Sequence, residues 1–413
     1  MESLDITSKT VMEDLVSDGN EALHFKLVRQ ESDIRDEKTT FKPEMVHQVY
    51  GENENIFGYR GLKVDFWMTA GSLKVYLNQS SEETINRKRS EGVEPDPVIP
   101  PLAKLLAPGQ ALGSLSDFLK VLKKDETFIP PGKKLSSFTL DGSDKVVRNY
   151  EVYEADESVP GFRDYHAHLQ PWIMFYIDAA SYIDIDDDNW KFYLLFERTN
   201  VNGSPRYYMA GYMTIYKYYA YPDKIRPRIS QMLILPPFQK QGLGAKLLDI
   251  VSRTFWTDES VVDITVEDPS DDFIRLRDFV DVSNALSLDT FSTSNIKKGF
   301  SPEMIKESNE KHKLCKKQAR RVYEIIRFFR TNISNPKEYK EYRVDVKKRL
   351  NQPYQKEERQ LAKLQKVLKP DEYTAATINI TNRQQRLDNL QSLYSDLEDH
   401  YRSIVTRVEK TAN

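Results

Sequence analysis

The residues best suited to chemistry lie at one join, Gln231-Met232-Leu233-Ile234-Leu235-Pro236-Pro237-Phe238-Gln239-Lys240-Gln241-Gly242-Leu243-Gly244-Ala245. An apolar run enters a glycine-containing turn, and a helix begins there. Gly242 and Gly244 let backbone N–H groups come close to a ligand. The helix start adds unpaired donors and a positive dipole end, so the turn suits a pyrophosphate. No Gly-Lys-Ser/Thr follows, which excludes a P-loop, and the spacing is not the dinucleotide GxGxxG. By themselves the two glycines serve equally well as turn punctuation. The second feature is Val266-Glu267-Asp268-Pro269, a carboxylate at the end of an alternating segment. Open α/β sheets hold active-site residues at such strand ends. A carboxylate there can accept a proton, or it can cap a helix or close an ion pair.

Other reactive side chains offer less. Cys315 is the single cysteine, so no intrachain disulfide and no cysteine-only zinc site can form. Its basic neighbours would favour a thiolate, but a buried or incidental thiol is the simpler reading. Of the six histidines only His166 and His168 are close, and i, i+2 positions share no helix face. No metal is expected.

These residues need a layered scaffold. Strands are predicted over 24–29, 63–69, 73–78, 147–153, 190–197, 207–219, 228–235 and 261–266, with a bend near Gly211. Helices are predicted over 117–123, 161–183 with a kink at Pro171, and 242–254. Strand–helix alternation argues an α/β layer fold. Beyond Phe279 the chain turns helical and charged, with helices over 302–330, 336–350 and 356–368. Leu387, Leu390, Tyr394, Leu397, Tyr401, Ile404 and Val408 then step by 3 and 4, a heptad seam. Leu361, Leu364 and Leu368 form a short matching seam, so a helical hairpin is expected, as packing and not as a ligand site.

The 413 residues suggest two or three domains at roughly 150 residues each. With 39% hydrophobic residues the chain can bury a core. The first residues show no basic start and no apolar stretch, and no run approaches the ~20 apolar residues of a membrane span. A soluble intracellular protein is expected. The net charge of −3 hides an asymmetry: residues 297–369 hold 22 Lys and Arg against 9 Asp and Glu. That stretch reads first as a solvated helix surface, and the acidic remainder would attract a basic partner.

Gln239-x-x-Gly242-x-Gly244 resembles the acetyl-CoA loop of the GNAT acetyltransferase superfamily. The segments SQMLILPPFQKQGLGAKLL, DITVEDPSDDFIRLRDFV, YPDKIRPR, FGYRGLK and KQARRVYEIIR narrow this further. They resemble the catalytic subunit of the type B histone acetyltransferases over nearly the whole chain. The resemblance implies a GNAT acetyltransferase fold over 136–280. It would be flanked by a mixed α/β N-terminal domain (1–135) and an all-helical C-terminal extension (281–413). It implies transfer of acetyl from acetyl-CoA to lysines in the tail of newly made, free histone H4, carried with histone H3. A WD-repeat histone chaperone is the implied partner, nucleus and cytoplasm the implied locations, and direct nucleic-acid binding is not expected.

The resemblance also implies residue roles. Met232, Leu233 and Ile234 would line the cofactor. Gln239, Lys240, Gln241, Gly242, Leu243, Gly244 and Ala245 would hold its pyrophosphate, and Ser270 would touch CoA. Glu267 would be the general base, with Asp268 and Asp178 as further carboxylate candidates. Glu52, Asn53, Glu54, Trp190, Tyr216, Lys217 and Tyr218 would meet the tail, aided by acidic clusters at Asp184, Asp186, Asp187, Asp188 and at Asp263, Asp271, Asp272. Direct attack in a ternary complex is preferred to a cysteine intermediate.

Overall fold

A computed structural model describes residues 14–85, 93–142, 146–369, 372 and 383–412. The chain divides into two units, Met1–Tyr219 with Pro227–Ile250, and Ala220–Arg226 with Val251–Asn413. The α/β character and the helical C-terminal region anticipated from the sequence are both present.

The first unit holds two larger sheets, besides two-stranded pairings of Val16–Asp18 with Asn55–Phe57 and of Tyr59–Arg60 with Glu83–Thr84. One orders its strands β2-β1-β3-β4-β5, from β1 (Leu23–Val28), β2 (Thr40–Phe41), β3 (Lys63–Thr69), β4 (Val75–Ser80) and β5 (Ala111–Leu112). Its β1 and β3 run parallel, and β4 returns antiparallel to β3. Phe25 and Phe66 meet edge to face at 4.9 Å, and both contact the buried Trp172 and Phe175. Helix α1 (Leu115–Asp125) is capped by Ser114 and buries Phe118 and Leu122 beside Trp67 and Tyr76.

The other sheet follows chain order: β6 (Lys133–Asp141), β7 (Val147–Ala155), β8 (Trp190–Val201), β9 (Ser204–Ala220) and β10 (Lys224–Ile234). Strand β9 bulges at the expected bend. Leu195 pairs with Gly211 and Phe196 with Met209, which leaves Ala210 as the extra residue. The Ala210 carbonyl accepts the Leu235 N–H at 2.9 Å. A Cβ on Gly211 would lie 2.6 Å from the Leu233 carbonyl oxygen, so glycine permits the close approach of β9 and β10.

The helix expected over 161–183 is broken into pieces. Helix α2 (Phe162–Leu169) gives way to a 3₁₀ turn, Gln170–Trp172, and then one helical turn, Ile173–Tyr176. Pro171 has no N–H for the ladder, which explains the change of pitch. Asp178 therefore lies past the helix, in irregular chain.

His166 on α2 is 2% exposed, with its ring 4.5 Å from that of Phe192. Burial lowers its pKa from the ordinary 6.5 to about 4. Between those values the unfolded chain takes up a proton that the folded chain refuses. Stability therefore rises with pH in that window and is lost as pH falls from 6.5 toward 4. We expect His166 to cost about 2 kcal/mol at pH 5 relative to pH 7. Urea denaturation at both pH values should show a smaller acid loss in His166→Phe, and an equal loss in the two proteins would refute this.

Helix α3 (Leu243–Trp256) follows β10. In the second unit the segment expected as a six-residue strand is a strand only at Thr265–Val266; Val261 and Ile264 make single bridges to Ile225 and Leu314. Then come α4 (Asp271–Ala285), α5 (Pro302–His312), α6 (Lys316–Arg330), α7 (Pro336–Leu350), α8 (Gln352–Leu364) and α9 (Arg383–Ala412). The single helix expected over 302–330 is split into α5 and α6. Lys313 adopts a left-handed φ of 54° and closes α5, and Cys315 stands at the N-cap of α6. The heptad residues Leu390, Tyr394, Tyr401, Ile404 and Val408 are buried as α9 packs on α4, α6 and α7. Leu364 is 41% exposed, so the short seam does not cover that stripe. Helix α8 meets α9 through Arg386, which pairs with Glu358 and Asn351.

Candidate active site

The glycine turn is built from the end of β10. Along this strand Gln231 and Leu233 are buried while Met232 and Ile234 sit on the more open face, the two-residue period of a strand. Leu233 thus offers a ligand its backbone and keeps its side chain in the core. Pro236-Pro237-Phe238 forms a 3₁₀ turn with Phe238 buried. The Gln239 amide returns to the Ile234 carbonyl at 2.9 Å, and Gln241 bonds the Pro237 carbonyl at 3.1 Å. Both side chains therefore shape the turn. Lys240 and Gly242 take left-handed φ of 60° and 89°.

The turn leaves an open cradle. A Cβ on Gly242 would meet nothing within 4 Å. The bond from the Lys246 N–H to the Gly242 carbonyl spans 3.2 Å. The N–H groups of Gly242, Leu243, Gly244 and Ala245 thus precede the helix ladder, as the first four of any helix do. They form a donor set suited to a pyrophosphate.

Residues distant in sequence brace this turn. The Arg29 guanidinium lies 5.2 Å from the Phe238 ring centre and 4.5 Å from that of Tyr208, and it bonds the buried Glu197 at 2.7 Å. Arg29, Glu197 and Phe238 line a polar cavity of about 170 Å³ with Arg148, Tyr150, Pro237 and Gln241. Neither Arg29 nor Glu197 stands out in the sequence, because their partnership spans 168 positions.

Of the residues expected to meet a basic tail, Trp190, Tyr216, Tyr218 and Asp187 lie together. Trp190 pairs with Tyr216 across β8 and β9, with ring centres 5.0 Å apart, and Tyr216 lies 4.6 Å from Tyr218. The Tyr216 hydroxyl donates to Asp187 at 2.8 Å, which raises its pKa. Arg228, not among the expected site residues, lies over the Tyr218 ring at 4.5 Å. Lys217 stands between the tyrosines on the alternate face of the strand. In the acidic clusters, Asp186 pairs with Arg163, Asp263 with Arg226 and Asp272 with Arg275.

A second group joins expected residues through one that was not expected. His47 Nε2 lies 3.1 Å from Asp178, and its Nδ1 lies 3.6 Å from Glu54. Glu54 accepts the Val46 and His47 N–H groups at 2.7 and 3.0 Å and the Asn20 amide at 2.8 Å. The Val46 bond heads the causes that lower its pKa. Glu54 is therefore first a brace of its loop, while Glu52 and Asn53 beside it are exposed.

Glu267, Asp268 and Ser270 belong to the second unit. The strand ends at Val266, and Asp268 takes a φ of 30° just before Pro269. This turn carries Glu267 and Asp268 to exposed positions. Ser270 caps α4 by accepting the Phe273 N–H at 3.2 Å. No cluster of three or more metal-ligating side chains occurs among the described residues. No helix among them is long and apolar enough to cross a membrane.

Residues 15–178 match the family described as Histone acetyl transferase HAT1 N-terminus, and residues 277–328 match Histone acetyltransferase type B catalytic subunit, C-terminal. The human histone acetyltransferase type B catalytic subunit is 40% identical over 94% of this chain and 92% of its own. The mouse protein of that name is likewise 40% identical, over 94% and 93%. The Cryptococcus neoformans protein is 31% identical over 82% and 89%. Among solved structures, an aminoglycoside acetyltransferase from an uncultured soil sample covers 31% of this chain and 83% of its own. That likeness, at 16% identity and a TM-score of 0.23, is too slight to bear on fold or activity. The extent of the sequence identity, reaching across both units, shows that the chain belongs to the family of histone acetyltransferase type B catalytic subunits and is an enzyme of the acetyltransferase class.

Proposed function

We propose that this chain transfers the acetyl group of acetyl-CoA to lysines in the N-terminal tail of histone H4, before that histone is assembled into chromatin. The observation that carries the reading is the open turn at Gly242, with its four leading N–H groups, in a chain of this family. Gly242 to Ala245 would take the pyrophosphate, and the backbone of Met232 to Ile234 would hold the pantetheine arm. Acetyl-CoA supplies the activated acyl group. Trp190, Tyr216 and Tyr218, with Asp187 and Asp188, would receive the basic tail.

The chemistry then requires a proton acceptor. A lysine amine has a pKa of about 10.4, so at neutral pH it is mostly a non-nucleophilic ammonium. Glu267 is the proposed base, with Asp178 in the shared network of His47 as the alternative carboxylate. The neutral amine attacks the thioester carbonyl directly, the carbonyl oxygen gains charge, and a strand N–H near Leu233 or Ile234 is the proposed donor to it. The adduct then collapses with cleavage of the C–S bond, and CoA leaves as the thiolate, which takes up the proton that the nitrogen releases. Free H4 accompanied by H3, a WD-repeat chaperone as partner, and work in both cytoplasm and nucleus complete the reading.

Incubation with labelled acetyl-CoA and free histone H4 tests it. Label should enter the H4 tail in a cofactor-dependent manner, and acetyl-CoA alone should raise the protein's thermal midpoint. Binding of acetyl-CoA without labelling of H4 would overturn the substrate assignment.

A further inference from the structure

The second unit contains a cavity of about 640 Å³ whose walls carry six cations, Lys316, Lys317, Arg320, Arg321, Lys348 and Arg349, and one carboxylate, Asp345. The cations are of two kinds. The arginines are committed beneath the cavity: Arg320 and Arg349 bond the fully buried Glu324 at 2.8 and 2.6 Å, and Arg321 bonds the buried Asp278 at 2.5 Å. Asp345 is committed as well, to Arg327 at 2.5 Å and to the Tyr323 hydroxyl at 2.9 Å. The three lysines differ. Lys316 and Lys317 open α6, Lys348 lies near the end of α7, and all three are exposed. None of the three has an ion pair among the described residues.

Three ammonium groups around one concave volume repel each other, and low-dielectric walls focus their field. The neighbouring cavity, about 470 Å³, shares Lys348 and Asp345 and adds Lys297, Lys298, Arg327, Lys337 and Lys340 against one further carboxylate, Glu341. The potential is therefore strongly positive across both mouths. A volume of 640 Å³ lies in the range of small-molecule sites. A nucleic-acid duplex is a convex rod that would ride over such a concavity and reach only its rim. Lysine binds phosphate as a point charge without demanding a planar partner.

We propose that this cavity binds a compact small molecule carrying several phosphate groups. Lys316 and Lys317 would hold it from α6 and Lys348 from α7, above an arginine floor fixed by Glu324 and Asp278. Such a ligand bridges two helices of the bundle and would stabilise it by mass action.

The test uses the full-length protein with inositol hexakisphosphate and linear tripolyphosphate as probes, followed by calorimetry at physiological salt. The comparison is the triple variant Lys316→Gln, Lys317→Gln, Lys348→Gln. These lysines make no structural ion pair and repel one another, so without probe the variant should melt no lower than the native protein and keep native acetyl transfer. The native protein should bind a probe at one site, and the variant should bind it at least about tenfold more weakly. Absence of binding to either probe, equal binding by the variant, or equal stabilisation by sulfate at matched ionic strength would overturn the proposal. Tighter binding of a 20-base-pair duplex than of both probes, lost in the variant, would also overturn it, by making the face a nucleic-acid surface.

Discussion

Replacing Glu267 with glutamine is expected to lower the rate of acetyl transfer by about 10²- to 10⁴-fold while acetyl-CoA binding stays native. At pH 7.5 about one lysine amine in a thousand is neutral, given its pKa of about 10.4. A carboxylate that accepts the departing proton relieves this shortage, and an amide of the same shape cannot. Glu267 is exposed at the end of Thr265–Val266, so no buried charge is lost and the fold should tolerate the change. The deficit should shrink as the assay pH rises toward 9, because solution then deprotonates the amine. A merely structural loss would show no such convergence. Asp178→Asn is the matched control: Asp178 already engages His47 at 3.1 Å, and its replacement should have a smaller effect. If instead Asp178→Asn abolished turnover and Glu267→Gln did not, the base would be Asp178.

What the sequence disclosed follows from which interactions are local. The apolar run into Gly242 and Gly244 and the apolar, strand-favouring composition of β8 to β10 are short-range patterns. Their elements lie where expected to within a few residues. Strand β6 was missed because Lys133–Asp141 is an edge strand with no buried position and hence little apolar signal. The break between α5 and α6 was missed because Lys311 to Gln318 reads as acceptable helix. Tertiary pairing overrides that preference: Leu314 bridges Ile264, and the Ile264 N–H bonds the Lys313 carbonyl at 2.9 Å. At the site, His47 could not have been singled out, since its link to Asp178 spans 131 positions. The brace of Arg29 on Glu197 was hidden for the same reason. The basic stretch after Lys297 showed its charge in the sequence but not which cations are neutralised, because Glu324 and Asp278 lie beneath them.

Glu324 carries the largest expected effect on stability. It is fully buried on α6 and receives Arg320 from the preceding turn, a forked bond from Arg349 of α7 at 2.6 and 2.8 Å, and the Tyr401 hydroxyl of α9 at 3.0 Å. Burial works against the charge of both arginines, and Glu324 outweighs it, so each is held above the ordinary arginine value. A pair so deeply desolvated adds little net stability over an apolar core, but removing one partner strands the others. Glu324→Ala leaves two guanidiniums facing a void and should cost about 3–5 kcal/mol. Glu324→Gln fills the space but supplies no charge, and should recover part of that loss. For a unit of this size the alanine variant should melt about 6–15 °C below the native protein. Differential scanning calorimetry would read the shift, and a midpoint within a degree of native would show that the arginines find water instead. The arginine floor beneath Lys316, Lys317 and Lys348 would loosen with it.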